Sequence, residues 1–301
     1  MYVIGIDIGG TSIKGIVMNE RGDGLCETRV PTEAHLGKEH IALHVETAIR
    51  QLLESYPDAA GIGIGTAGRV DADTGRIVYA TANLPGWQGF DLRQRYEAMF
   101  GLPVVVDNDA NAALVGEAWL GAGAGLSDLT MLTLGTGVGG ANMIGGRLYR
   151  GAHWNGGEWG HVVFMPHGRP CNCGRQGCIE QYISGTALVR LAREAAGRDY
   201  DSGREVFADY ERGHQAIADV LRQFVDNLAL FVQNIHLGLN PSAILVGGGV
   251  VEAGALWWPL LHSRLAELDP AMDVRAASLG NRAGAIGAAR LAMDALTGSQ
   301  Q

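Results

Sequence analysis

The stretch Tyr2-Val3-Ile4-Gly5-Ile6-Asp7-Ile8-Gly9-Gly10-Thr11-Ser12-Ile13-Lys14-Gly15-Ile16-Val17-Met18 opens the chain. Its pattern returns in kind at Leu129-Thr130-Met131-Leu132-Thr133-Leu134-Gly135-Thr136-Gly137-Val138-Gly139-Gly140-Ala141-Asn142-Met143-Ile144. Each stretch is an apolar run, a glycine turn and a second apolar run. Short apolar runs bounded by glycine read as buried strands. The first stretch therefore predicts strands over Tyr2 to Ile8 and Ile13 to Met18, and the second over Leu129 to Leu134 and Val138 to Ile144. Two halves that open alike predict a duplicated α/β architecture, two similar domains around a cleft.

Working outward, Leu25 to Pro31 adds a third strand to the first half. Ile41, Val45, Ala48, Ile49, Leu52 and Leu53 recur at helical spacing and predict an amphipathic helix from Glu39 to Leu53. Gly61 to Thr66 reads as a short strand and Arg76 to Thr81 as an edge strand. Asp91 caps a helix running to about Phe100, because its carboxylate can accept the free N–H groups of the first turn. Val104 to Val106 is a core strand that delivers Asp107-Asn108-Asp109 to its carboxyl end, and a helix from Ala110 to Leu120 leaves from there. In the second half, Ile217 to Leu237 is the longest apolar-faced helix. Ala243 to Val246 is a strand ending in Gly247-Gly248-Gly249, and a helix from Ala283 to Leu296 closes the chain. Gly121-Ala122-Gly123-Ala124-Gly125 breaks the pattern. The expected domains are a smaller α/β domain over 1–120 and a larger one over 121–301, with the last helix free to pack back on the first.

The totals exclude whole classes of function. A net charge of -9 and a pI near 5.4 leave no basic footprint for nucleic acid. No apolar run approaches the ~20 residues of a membrane-spanning helix. The chain enters its first strand directly after Met1, without a basic or long apolar leader, so the expected compartment is the cytoplasm.

Glycine turns after strands expose consecutive backbone N–H groups, and without a Cβ a phosphate can approach them. Three occur here: Asp7-Ile8-Gly9-Gly10-Thr11, Gly135 to Gly140, and Gly247-Gly248-Gly249. Gly135 to Gly140 and Gly63 to Gly68 both satisfy G-x-G-x-x-G. Neither opens a helix inside the motif, which the dinucleotide fingerprint requires, and no P-loop pattern exists. Any one of them alone reads rather as a packing turn; the three together, two with a threonine and one with an aspartate, make phosphate binding their expected use.

A second signal lies between Gly160 and Glu180, where His161, Cys171, Cys173 and Cys178 supply one imidazole and three thiols among glycines. In a secreted protein, two of these thiols could form a disulfide. In a reducing compartment, clustered cysteines favour metal, and three thiols with one imidazole complete a tetrahedral zinc shell. A full shell has no open position, so the zinc is expected to be structural and to hold the loop ends near Glu158 and Glu180. Cys26, the fourth cysteine, reads as a buried or half-buried thiol.

The order Asp-x-Gly-Gly-Thr, Asp-Asn-Asp-Ala-Asn, Gly-Thr-Gly-x-Gly-Gly, then Glu-x-Gly-His with Cys-x-Cys-Gly-x-x-Gly-Cys-x-Glu resembles the ROK family of sugar kinases, from Ile4 to about Ala289. The resemblance implies an actin-like ATPase fold of two ribonuclease-H-like domains, a cleft closing on sugar and ATP, a structural zinc and a homodimer. It implies that Asp109 is the catalytic base, accepting the proton of a sugar hydroxyl that attacks the γ-phosphate. As a residue, Asp109 also reads as the N-cap of the helix at Ala110, and both roles can hold at once. For ATP and phosphate the set is Asp7, Gly9, Gly10, Thr11, Lys14, Thr136, Gly137, Gly247 and Gly248. Asp7 would partner Mg²⁺, or else simply cap its own turn. For the sugar it is Gly68, Arg69, Thr81, Asn83, Asn108, Asp109, Glu158, His161 and Glu180.

Many family members carry Pro before Gly where this chain has Ala67-Gly68, and Arg69, which follows, bears on which sugar fits. The Glu-x-Gly-His pattern is shared by glucose- and N-acetylmannosamine-phosphorylating members and does not choose between them. The expected reaction is ATP-dependent phosphorylation of the 6-hydroxyl of a hexose or N-acetylhexosamine. The alternative in the same family, a sugar sensor or transcriptional repressor, needs a DNA-binding segment before the first turn. Asp7 lies too near the start for one.

Overall fold

The computed structural model describes residues 1–80 and 84–298. The chain begins with β1 (Tyr2–Ile8), β2 (Ser12–Asn19) and β3 (Gly24–Pro31), followed by α1 (Lys38–Ser55) and β4 (Ile62–Thr66). Next come β5 (Arg69–Asp71), β6 (Arg76–Tyr79), α2 (Leu92–Phe100), β7 (Val104–Asn108) and α3 (Asp109–Leu120). Strands β1, β2 and β3 form an antiparallel meander, and β4 and β7 extend it in parallel, giving the order β3-β2-β1-β4-β7. Among the described residues the predicted strand from Arg76 ends at Tyr79; it pairs with β5 in a separate two-stranded ribbon and bridges to Asp91 on its other side. Asp91 caps α2 as expected, accepting from the Gln94 amide at 2.9 Å.

The second half contributes β8 (Leu129–Leu134), β9 (Val138–Ile144), β10 (Arg147–Leu148), α4 (Glu180–Ile183) and α5 (Gly185–Ala196). It continues with α6 (Gly203–Glu211), α7 (Gln215–Leu239), β11 (Ala243–Gly247), α8 (Gly254–Leu268), β12 (Val274–Ala276) and α9 (Ala283–Thr297). Its sheet has the order β10-β9-β8-β11-β12. This repeats the third-second-first-fourth-fifth order of the first sheet, so the duplication read from the glycine turns extends to sheet topology.

The chain forms two compact units, one of Met1–Leu129, Ala141–Gly157 and Ser278–Gln301, the other of Thr130–Gly140 and Glu158–Ala277. The division is not a single cut at the glycine run. In the first unit α1 buries Ile41, Val45, Ala48, Ile49 and Leu52 against Ile4, Ile6, Ile62 and Ile64 of the sheet. Two polar tips in this core are satisfied: Trp87 Nε1 donates to Thr66 Oγ1 at 3.0 Å, and the Tyr96 hydroxyl donates to the Ala42 carbonyl at 3.1 Å. On its other side the sheet meets α9, whose glycines and alanines allow backbone contact. A Cβ on Gly5 would lie 1.9 Å from the Ala285 carbonyl oxygen, and one on Gly63 would lie 1.8 Å from that of Ala288. Side-chain-free positions on both partners are what let the helix settle this close.

The second unit is built around α7, with Phe224, Leu228, Phe231, Val232 and Ile235 packed beside Trp257, Ile244 and Val246. Among the described residues no helix is long and apolar enough to cross a membrane.

Candidate functional site

In the first unit, β7 ends at Asn108 and α3 starts at Asp109. The cap of α3 is Asn108, which corrects the capping role considered for Asp109: Asn108 Oδ1 accepts from the Ala110 and Asn111 amides at 2.8 and 3.2 Å. Asn108 Nδ2 donates to the Gly68 carbonyl at 2.9 Å, which fixes the Gly68 turn to the start of α3. Gly68 has φ +101°, and a Cβ there would lie 2.5 Å from the Tyr79 carbonyl oxygen, so glycine is required by conformation and by space. Arg69, next along, holds its guanidinium 4.8 Å from the centroid of the Tyr79 ring. Asp109 is half-buried in the first turn of α3, where the helix dipole favours a negative charge.

Asp107 carries no signal in the sequence beyond its place at the head of the triplet. It is buried, accepts from Asn111 Nδ2 at 2.8 Å and pairs with Arg150, whose Nε and Nη2 both reach Oδ2 at 2.7 Å. Arg150 carried no motif; a buried carboxylate at the end of a strand is the signal that calls for such a partner. The pair ties the segment after β10 to the strand that leads into Asp109.

Asp7 sits at the end of β1, cross-strand from Lys14, whose Nζ is 3.3 Å from Asp7 Oδ2. Burial holds the Asp7 carboxyl above its ordinary range, and Lys14 offsets that only in part. The turn that follows is fixed by Thr32, whose hydroxyl donates to the Gly9 carbonyl at 2.6 Å and whose amide donates to the Thr11 carbonyl at 3.0 Å. Gly10 and Thr11 are exposed. Gly10 is outside the left-handed region, and a Cβ on it would meet nothing within 4 Å.

The second unit holds the other glycine turns. Gly135 likewise has open space where a Cβ would stand and no positive φ. Gly137 does not: its Cβ would lie 2.3 Å from Glu180 Oε2. That oxygen accepts the Val138 amide at 3.0 Å, while Glu180 Oε1 lies 3.7 Å from Cys171 Sγ. Glu180 is therefore a buried link between the cysteine loop and the Gly135–Val138 turn. Thr136, at the tip of that turn, is exposed. Gly247 and Gly248 have packing reasons of their own. A Cβ on Gly247 would lie 2.9 Å from Met131 Cε, and one on Gly248, which has φ +89°, would lie 2.4 Å from the Leu134 carbonyl oxygen.

His161, Cys171, Cys173 and Cys178 converge, with one potential ligand atom from each and all four within 4.8 Å of one another. No disulfide forms. Cys173 and Cys178 sulfurs are 3.6 Å apart, and Cys171 Sγ is 3.7 Å from His161 Nδ1. Tetrahedral zinc with Zn–S bonds of ~2.3 Å sets its ligand atoms ~3.7 Å apart, so the cluster could hold such an ion. Glycine shapes the loop: Gly177 has φ +77°, with the Met165 carbonyl oxygen 1.7 Å from its missing Cβ, and Gly160 would press on the Val138 carbonyl oxygen at 2.0 Å. Burial, then the neighbouring thiols, push Cys178 up to about 12. A cation is what would draw it to the thiolate. Half-buried Glu158 opens the short helical turn that ends at His161, whose amide donates to the Glu158 carbonyl at 3.1 Å. Thr81 and Asn83, expected in the sugar set, lie outside the described residues.

Comparison with known proteins accounts for this combination. The model of the ROK family matches residues 3–295. A glucokinase of Halalkalibacterium halodurans is 35% identical over 309 residues, covering 95% of this chain and 93% of its own. Among solved structures, a ROK hexokinase from Thermus thermophilus superposes with a TM-score of 0.88 at 33% identity, over 99% of this chain and 100% of the other. A ROK family glucokinase from Streptomyces griseus, in complex with glucose and AMPPNP, gives 0.85 at 34% identity over 98% and 100%. The fold is the α/β actin-like ATPase fold that the resemblance implied.

Proposed function

The chain belongs to the ROK family, and we propose on that premise that it transfers the γ-phosphoryl group of ATP to the 6-hydroxyl of a hexose or N-acetylhexosamine, glucose first among them. It is an ATP-dependent sugar kinase; the proposal adds the acceptor and the residues.

The observation that carries the reading is the pair Gly10 and Gly135. Neither has a neighbour that excludes a Cβ, and neither needs a positive φ. Glycine at these positions answers to no packing demand inside the chain, and without a Cβ a phosphate can approach the turn backbone. Thr11 and Thr136, both exposed, stand next to them and add hydroxyl donors.

In the reaction Asp109 takes the proton of the 6-hydroxyl as that oxygen bonds to the γ-phosphorus, and the bond from phosphorus to the ADP oxygen breaks. Asn108 caps α3, and Asp109 Oδ1 also accepts the Ala110 amide at 2.9 Å, a bond that holds the carboxylate at the start of the helix. Glu158, His161 and Glu180 are assigned to the sugar, together with Gly68, Arg69 and Asn108. Mg²⁺ bound with ATP would offset phosphate charge. Asp7, a buried carboxylate only partly compensated by Lys14, suits it as a partner. Zinc in the cysteine loop does no chemistry in this reading and holds Glu158, His161 and Glu180 in fixed relation. The assembly is a homodimer.

The test is an ATP-consumption screen over glucose, mannose, fructose, allose, N-acetylglucosamine and N-acetylmannosamine. Glucose is expected to give the highest kcat/KM. Absence of turnover with every sugar would overturn the proposal.

A further inference from the structure

We propose a second metal site, for a divalent transition metal of zinc's ligand preference, formed by Glu33, His40 and His44 on the first unit. His40 and His44 are four residues apart on α1 and so project from one face of the helix. Glu33 precedes the helix, with φ +47° and ψ +46° turning the chain back toward it. The three ligand atoms meet: Glu33 Oε2 is 2.7 Å from His40 Nε2 and 3.8 Å from His44 Nε2, and all lie within 4.8 Å of one another.

These separations bracket the ~3.3 Å that tetrahedral zinc, with Zn–N and Zn–O bonds of ~2.0–2.1 Å, sets between two ligands. An ordinary surface ion pair accounts for Glu33 and one histidine. It does not account for the second imidazole, whose orientation is fixed separately. His44 Nδ1 lies 2.5 Å from the Pro31 carbonyl oxygen, which can only accept, so Nδ1 carries a proton and Nε2, on the Glu33 side, is the nitrogen that the neutral ring has left for a metal. A ring nitrogen tied to a backbone carbonyl while the other is offered to a metal is the usual arrangement of a zinc-binding histidine. At His40 the metal takes the place of the Nε2 proton, which moves to Nδ1. Two imidazoles and one carboxylate favour zinc, nickel or copper over magnesium or calcium.

The site is half-buried on its histidine side and open on its Glu33 side, so a fourth position remains for water. Glu33 follows Thr32, which holds the Gly9 and Thr11 carbonyls. An ion joining Glu33 to α1 therefore braces the segment on which the Gly9–Thr11 turn rests.

The experiment uses zinc chloride as the probe and the protein with whatever metal its cysteine cluster retains on purification. Calorimetric titration is expected to show wild type taking up one equivalent more than His40→Ala or His44→Ala. Elemental analysis before titration should give the same metal content for all three. Circular dichroism checks that the variants fold, and His40→Gln, which keeps the helix surface polar, should lose the equivalent as well. Equal uptake by wild type and the His40→Ala/His44→Ala double variant, or no uptake by wild type, would overturn the site.

Discussion

The Glu180 carboxylate accepts the Val138 amide at 3.0 Å, although the two residues are 42 positions apart and belong to the cysteine loop and to a glycine turn. Glu180 was selected from the sequence as a sugar ligand; the structure gives it an internal bond as well. Glu180→Ala leaves a buried N–H unpaired, at a cost of about 1–3 kcal/mol. Thermal unfolding should show that loss, and Glu180→Gln, which keeps an acceptor, should recover part of it. A sugar ligand with no structural duty would weaken KM for sugar alone and leave Tm unmoved.

The glycines of the turns separate by consequence. Gly10→Ala and Gly135→Ala meet no atom within 4 Å, so unfolding free energy is expected to stay within about 0.5 kcal/mol of wild type. KM for ATP is expected to rise. Gly137→Ala drives a methyl to within 2.3 Å of Glu180 Oε2 and should lower Tm together with affinity. Denaturant melts beside ATP kinetics distinguish the two kinds.

Asp109→Asn keeps the shape of the α3 first turn and leaves its cap, Asn108, in place. Turnover is expected to fall about 10²–10⁴-fold, the usual worth of a general base, with Tm little changed. Near-normal kcat in a folded variant would remove Asp109 from the reaction.

Asp7 gives a prediction with a definite sign. Burial raises its folded-state pKa above 3.8, so the folded protein holds that proton more tightly than the unfolded chain. The contribution to stability is full below 3.8 and is lost as pH rises through the folded value. Asp7→Asn, which cannot charge, should therefore be more stable than wild type at pH 7, and the difference should shrink as the pH is lowered. Melting curves at a series of pH values check it, and a variant less stable than wild type at pH 7 would contradict the burial argument.

Removing metal from the cysteine cluster should loosen Glu180 and His161 together, since Cys171 adjoins both. Chelation is expected to release about one zinc per chain, lower Tm and weaken sugar affinity before it affects ATP affinity. Fully active protein without metal would exclude a structural zinc.

Much of the fold was legible because its signals are local. The bounds of β8 and β9 follow from apolar runs ending in glycine, and Asp91 was recognisable as a cap from its position before a helix. Asn108 and Asp109 are both good capping residues, so the sequence alone does not decide the cap of α3. Which of them caps depends on where β7 ends, and that is set by its pairing with β4 up to Asn108. Arg150 was invisible because its meaning comes from Asp107, 43 residues away, and no spacing rule connects a strand end with a loop after another sheet's edge. His40 and His44 read from the sequence only as two polar positions on α1. Only the left-handed turn at Glu33 brings the third ligand to them.

The close seating of α9 on β1 and β4 bears on how the protein is made. Gly5 and Gly63 leave the ribosome before Thr130–Gly140 and Glu158–Ala277, and the Ala285 and Ala288 carbonyls that cover them leave after those segments. The unit containing Thr130–Gly140 and Glu158–Ala277 has all its residues before Ser278 is made. Although domains generally fold from the N-terminus onward during translation, here the earlier-synthesised unit completes second. Until the residues from Ser278 onward are made, the side of the sheet that α9 covers stays open to solvent.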